Sequence, residues 1–216
     1  MLISDHRKFI FIHIYKNAGT SIRKVLRPYA LPPWQAKANW WFKKIGIPQY
    51  RSHSFGPHLT AAQLVEKIGL ETFKSYYSFA IVRNPWDWEV SRYKYILRHH
   101  RHGLHQLVTQ MTGFDEYIRW RSARRNLTQQ DFIDFAGKQI VDFVGRFESL
   151  DSDFRTICDR LGLHLWLPVR NSSDTRPYQE FYSNFSRKAV EQLYAADIER
   201  FGYEFGRARP VDNQAA

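Results

Sequence analysis

The sequence predicts a three-layer α/β domain, with helices covering a central parallel sheet. Two observations predict it: short runs of β-branched and aromatic residues with little polar alternation, and the repeated succession of such a run, a loop and a helical pattern. Parallel neighbours need crossover connections, and fully covered strands read as continuous apolar runs. The 216 residues are 44% hydrophobic and 16% aromatic, enough for a sizeable core and against global disorder. A single domain is expected over residues 1–210, with the last residues, 211–216, frayed.

The first strand is expected at residues 8–14, KFIFIHI, whose one polar member is His13. YKNAGTS then makes a tight loop, and SIRKVL places Ile22, Val25 and Leu26 at helical spacing. An aromatic stretch from Trp34 to Tyr50 follows, and a helix TAAQLVEKIG with Thr60 as cap and Gly69 as stop. The second strand is expected at 76–82, YYSFAIV. RNP and the helix WDWEVSRYKYIL come next, with Pro85 near the helix start. A third strand, VDFVGRF at 141–147, leads into a helix bearing Leu150, Phe154, Ile157 and Leu161 on one face and ending at Gly162. The tract 98–125 is rich in Arg and His.

The charge balance, 32 Lys and Arg against 21 Asp and Glu, gives a net +11 and points to an anionic partner. No apolar run approaches the roughly 20 residues of a spanning helix, and MLISDHRKF lacks a signal-peptide core, so a soluble, cytoplasmic protein is expected. The single cysteine, Cys158, excludes an internal disulfide and a cysteine-based zinc site, and is expected to be packed. Sequons at Asn126, Asn171 and Asn184 matter only in a secretory lumen.

Phosphate ligands of parallel sheets bind at the carboxyl ends of the strands. HIYKNAGTS stands at such an end, with Lys16, Thr20 and Ser21 beside a glycine turn whose N–H groups suit a phosphate. It is not a Walker A loop, because Lys16 precedes Gly19. The alternative is a turn in which Ser or Thr merely caps the helix. In the second unit Arg83 ends a strand and Ser91 follows on the helix, so a guanidinium and a hydroxyl can converge on one phosphate. Here the alternative is that Arg83 pairs with Asp87 or Glu89.

IFIHIYKNAGTSI followed by FAIVRNPWDWEVSRY resembles the two donor-binding motifs of sulfotransferases that use 3′-phosphoadenosine 5′-phosphosulfate, especially the branch of heparan sulfate 2-O-sulfotransferase and related carbohydrate enzymes. VDFVGRFESLDSDFRTICDRLGL and the segment from Asn171 to Phe205 extend the likeness over most of the chain. The resemblance implies a fold like that of P-loop nucleotide kinases. It implies that Lys16, Asn17, Ala18, Gly19, Thr20 and Ser21 hold the 5′-phosphosulfate, Lys16 also acting in catalysis, while Arg83 and Ser91 hold the 3′-phosphate. Two features depart from the family pattern: Tyr15 stands where a proline usually precedes the lysine, and the aromatic stretch after Trp34 has no counterpart.

Transfer to a hydroxyl needs a base, for which histidine is suited. The resemblance places it in SHSFGPHLTAAQL, at His58, with His53 as second choice and as a candidate acceptor contact. The acceptor is expected to be a hydroxyl-bearing saccharide, with Arg124 and Arg125 among an arginine group, Arg98, Arg101, Arg119 and Arg121, available to line a groove. Trp34, Trp40 and Trp41 are read as a packed helical insert rather than as sugar platforms. His99, His100, His102 and His105 are read as a solvated basic face, and neither a metal nor a nucleic-acid partner is expected. The rival functions are a nucleotide kinase-like phosphotransferase and a non-catalytic binder of polyanions.

Overall fold

The computed structural model describes residues 1–46, 55–56, 58–168 and 176–207. In chain order the elements are β1 (Leu2–Ser4), β2 (Phe9–Ile12), α1 (Gly19–Leu26), α2 (Pro33–Lys44), α3 (Ala61–Ile68), α4 (Leu70–Lys74), β3 (Tyr77–Val82) and α5 (Pro85–Arg98). There follow α6 (His105–Thr109), α7 (Phe114–Ser122), α8 (Gln129–Ile133), β4 (Asp134–Phe135), β5 (Lys138–Gln139), β6 (Phe143–Arg146), α9 (Leu150–Arg160), α10 (Asn184–Leu193) and α11 (Ala195–Phe201). The chain divides into two compact units, Met1–Val82 with Asp131–Val169, and Arg83–Gln130 with Arg170–Ala216.

The first unit holds a four-stranded sheet in the order β1, β2, β3, β6. The pairs β2/β3 and β3/β6 are parallel, Ile12 facing Ala80 and Val82 facing Arg146, so these three strands present their carboxyl ends at one edge. All four residues of β2 are buried, which is why FIFI shows no alternation. The expected parallel strands are thus present, each shorter at one or both ends than its apolar run. β1 was not expected. It is three residues long and runs antiparallel to β2, with Leu2 facing Phe11.

Phe9, Phe11, Phe79 and Ile81 of the sheet pack with Ile22 and Leu26 of α1 and with Phe154, Ile157 and Cys158 of α9. Cys158 of α9 is a core residue, packed as expected. Asp142 fixes the entry to β6: its carboxylate accepts from the Ser78 backbone N–H at 2.7 Å and hydroxyl at 2.6 Å. Its own N–H donates to Ser78 Oγ at 3.0 Å. α3 ends where its sequence dictates, between a Thr60/Gln63 capping box and Gly69 in a positive-φ conformation (φ 85°).

The second unit is helical. α5 begins after Asn84, whose side chain accepts from the Trp86 N–H, with Pro85 in the first turn. Its centre is a buried ionic cluster. Glu89 of α5 accepts from Arg121 Nη2 at 2.7 Å and from the Tyr117 hydroxyl at 2.8 Å, both on α7. The Tyr194 hydroxyl donates to the same carboxylate. Burial alone would push the Glu89 pKa up, but the Arg121 charge and these hydrogen bonds hold it below its ordinary value.

Candidate active site

The loop between β2 and α1 lies at the carboxyl edge of the sheet. Two non-glycine residues in it are left-handed, Lys16 (φ 65°) and Ala18 (φ 57°), a conformation costing about 1–3 kcal/mol at each such residue. Asn17 between them is buried and donates from Nδ2 to the Ile81 carbonyl at 2.8 Å, tying the loop to β3. Its side-chain amide therefore serves the loop's shape.

Ala18 is the N-cap of α1 and provides no side-chain cap. Neither Thr20 nor Ser21 takes the capping role weighed above. The Ser21 and Ile22 N–H groups donate to the Ala18 carbonyl at 2.9 and 3.1 Å. With no acidic residue in its first turn, α1 presents its positive end beside Lys16. This arrangement fits a phosphate-like anion.

Gly19 is required by a close approach. A Cβ there would lie 1.9 Å from His13 Cδ2 and 2.0 Å from Nε2. His13, just after β2, is only 6% exposed, stacks on Phe11 with centroids 5.7 Å apart, and has a buried Nδ1 with no hydrogen-bond partner among the described residues. Burial chiefly lowers its pKa to about 3, with positive charge at the chain's amino terminus, His58 and Arg23 adding to the effect, so the ring is neutral at neutral pH.

His58 stands just before the Thr60 cap of α3. Its ring lies 4.6 Å from that of His13 and meets Tyr15 edge-on at 6.0 Å, while Tyr15 meets Phe132 edge-on at 5.8 Å. Tyr15, in place of a proline, thus braces the loop with its ring. His58 Nδ1 lies 3.0 Å from the His13 carbonyl oxygen. A carbonyl only accepts, so Nδ1 carries the proton, and in the neutral ring Nε2 keeps its lone pair. Burial of the ring lowers the His58 pKa, which the His13 carbonyl partly offsets, and nearby positive charge lowers it further. The first unit therefore pairs an anion-suited loop with an imidazole in the tautomer of a base. His53 lies outside the described residues.

In the second unit the alternative partner of Arg83 is realised: Nε donates to Asp87 Oδ2 at 2.8 Å and Nη2 lies 2.7 Å from the same oxygen. Ser91, one turn beyond Asp87, shares its helix face and is partly exposed. The Arg83 backbone is held on both sides by Gln129, which accepts from its N–H at 2.8 Å and donates to its carbonyl at 2.6 Å. Asp197 in turn accepts from the Gln129 and Gln130 N–H groups at 2.7 and 2.9 Å. These clamping residues carry no local sequence signal, being 46 and more than 100 positions from Arg83.

The arginine group is not one surface. Arg121 is buried on Glu89, whereas Arg119, Arg124 and Arg125 are exposed, Arg119 lying over Phe185 and Arg124 over Trp120. The tryptophans also depart from expectation: α2 is helical, but Trp34, Trp40 and Trp41 are 60, 55 and 56% exposed rather than packed. In the histidine run, His100 Nδ1 lies 2.9 Å from His105 Nε2. Among the described residues no group of three or more His, Cys, Asp or Glu is placed to hold a metal ion.

A parallel-sheet α/β unit with an anion-suited strand-to-helix loop and a neighbouring histidine has the parts that group transfer from an anionic donor would use. The family follows from comparison. The model of the sulfotransferase family matches residues 1–204, and the chain belongs to that family. It is also 30% identical over 114 residues to an uncharacterized protein of Archaeoglobus fulgidus, a match covering 52% of this chain and 89% of the relative. No solved structure matches.

Proposed function

We propose that the protein transfers a sulfuryl group from 3′-phosphoadenosine 5′-phosphosulfate to a hydroxyl group of a carbohydrate, with His58 as general base. The donor supplies an activated sulfuryl group on a phosphate leaving group. Lys16 and the loop residues Asn17, Ala18, Gly19, Thr20 and Ser21 bind the 5′-phosphosulfate, Ser21 through its hydroxyl because its N–H is held by the Ala18 carbonyl, and the Lys16 ammonium offsets negative charge developing on the bridging oxygen. Arg83 and Ser91 bind the 3′-phosphate, Asp87 orienting the guanidinium until the ligand arrives. His58 Nε2 takes the proton of the acceptor hydroxyl, leaving Nδ1–H on the His13 carbonyl throughout. The observation that carries this reading is that hydrogen bond, which selects the basic tautomer directly beside the loop.

We further take residues 1–210 as one sulfotransferase domain with the three-layer, nucleotide-kinase-like arrangement, and Arg124 and Arg125 as acceptor contacts. Calorimetric titration with 3′-phosphoadenosine 5′-phosphate tests donor recognition. Wild type is expected to bind it in preference to ATP, and Lys16→Ala and Arg83→Ala each to weaken binding by roughly tenfold or more, the scale of a lost charge-assisted hydrogen bond. Absence of binding by folded wild type, or a preference for ATP, would refute the reading.

A further inference from the structure

The helix α2 (Pro33–Lys44) is turned the wrong way round for an ordinary surface helix. Trp34, Lys37, Trp41 and Lys44 recur at helical spacing, and Trp40 and Ile45 flank them, so these six residues occupy one arc of the helix and its end. All six are exposed, Ile45 by 63% and each tryptophan by more than half. Among the side chains described, the partly buried positions of α2 are Gln35, Ala38, Asn39 and Phe42, a less apolar set. The hydrophobic effect favours the opposite arrangement, so the outward face calls for an apolar environment in some bound state.

Geometry and charge decide what that environment is. Trp40 and Trp41 are nearly perpendicular, at 87° with centroids 4.8 Å apart. Lys44 Nζ stands 3.9 Å from the Trp40 ring centroid and 5.7 Å from that of Trp41. The pair therefore offers no open, parallel platform on which sugar rings could stack. It does offer amphipathic rings interleaved with long cationic stems and an aliphatic end, which suits the headgroup boundary of a bilayer, where indoles settle and lysines reach phosphates. The surrounding sequence has the complementary charge: between Asp5 and Glu66 there are ten Lys and Arg and no acidic residue. A 12-residue helix is about 18 Å long, too short to span a bilayer but suited to lying in its surface.

We infer that the exposed Trp/Lys face of α2 docks the protein on the surface of an anionic lipid bilayer. The inference stands apart from the donor and acceptor assignments. The test is flotation of the full chain with vesicles of phosphatidylcholine alone and of phosphatidylcholine with about one quarter phosphatidylglycerol, a fraction sufficient for a negative surface potential. Tryptophan quenching by lipids brominated near the headgroup is read in parallel. The expected result is flotation with the anionic vesicles only, with quenching. Trp40→Ser/Trp41→Ser and Lys37→Glu/Lys44→Glu should each reduce the partition coefficient about tenfold or more, since both the apolar and the electrostatic contribution are needed. Both pairs are exposed, and unchanged circular dichroism and thermal midpoint would establish that the variants fold. Flotation that neither variant weakens would overturn the inference, as would no flotation with either vesicle. Two other results would replace it: concentration-dependent dimerisation abolished by the tryptophan variant without lipid binding, or binding of a soluble anionic polysaccharide lost in that variant while vesicles are ignored.

Discussion

At the scale of single residues, the neighbourhood of His13 concentrates the constraints on the loop. Gly19→Ala would drive a methyl group into the His13 ring, and a buried ring backed by Phe11 has little room to yield. A loss of about 1–3 kcal/mol or more in denaturant-derived stability is expected. Since the clash is pairwise, His13→Ala combined with Gly19→Ala should be less destabilised than the sum of the single changes, a coupling that a double-mutant cycle measures. His58 has a different signature. His58→Ala should lower turnover by roughly 10²- to 10⁴-fold while leaving calorimetric binding of 3′-phosphoadenosine 5′-phosphate intact. A base must be unprotonated to work, and the His58 pKa lies below its ordinary value. The acid limb of the wild-type rate profile should therefore fall below the usual histidine midpoint of about 6.5.

At the scale of elements, α5, α7 and the junction of α10 with α11 are joined through Glu89. Its carboxylate is fully buried and receives Arg121 together with the hydroxyls of Tyr117 and Tyr194. Removing the carboxylate alone would leave a buried guanidinium uncompensated. Glu89→Ala is accordingly expected to cost about 3–5 kcal/mol, visible as a lowered denaturation midpoint. Replacing Glu89 and Arg121 together by apolar residues of similar volume should cost much less, because the desolvation of both charges is then avoided. The Gln129 and Asp197 clamp belongs to this scale as well. It holds the Arg83 backbone, whereas the guanidinium itself would meet the ligand, so Gln129→Ala should impair ligand binding less than Arg83→Ala does.

At the scale of the whole molecule, the buried histidine makes stability depend on pH. The His13 pKa is about 3 in the folded protein against about 6.5 in an unfolded chain. Above pH 6.5 both states hold the ring neutral and it exerts no pH dependence. As pH falls below 6.5 the unfolded chain takes up the proton first, so stability declines by up to about 1.4 kcal/mol per pH unit until the folded pKa is reached. His13→Asn should flatten that slope in urea denaturation followed between pH 7 and pH 4, values chosen to bracket most of the window. A slope unchanged by the substitution would assign acid sensitivity to other groups. The net charge of +11 is distributed unevenly, the stretch from residue 6 to residue 65 being wholly free of acidic side chains. Long-range attraction of anionic ligands should therefore weaken as salt is raised, a dependence readable in the association rate.

Local signals determined much of this protein. Apolar runs placed β2, β3 and β6 because strands covered on both faces lose their polar alternation, and Thr60 and Gly69 bounded α3 because capping chemistry is local. Motif likeness singled out the strand-to-helix loop and His58 as candidates, and comparison bears out the sulfotransferase family. Tertiary structure alone decided the rest. The three residues of β1 acquire meaning only by pairing with β2, and His13 became a steric partner of Gly19 only when the loop folded back over it. Arg121 turned inward because Glu89, 32 residues away, was there to neutralise it, and Trp34, Trp40 and Trp41 faced outward despite a composition that suggested a packed insert. The division has one physical reason: propensity and periodicity act within a few residues, whereas burial and charge pairing depend on neighbours that only the folded chain brings together.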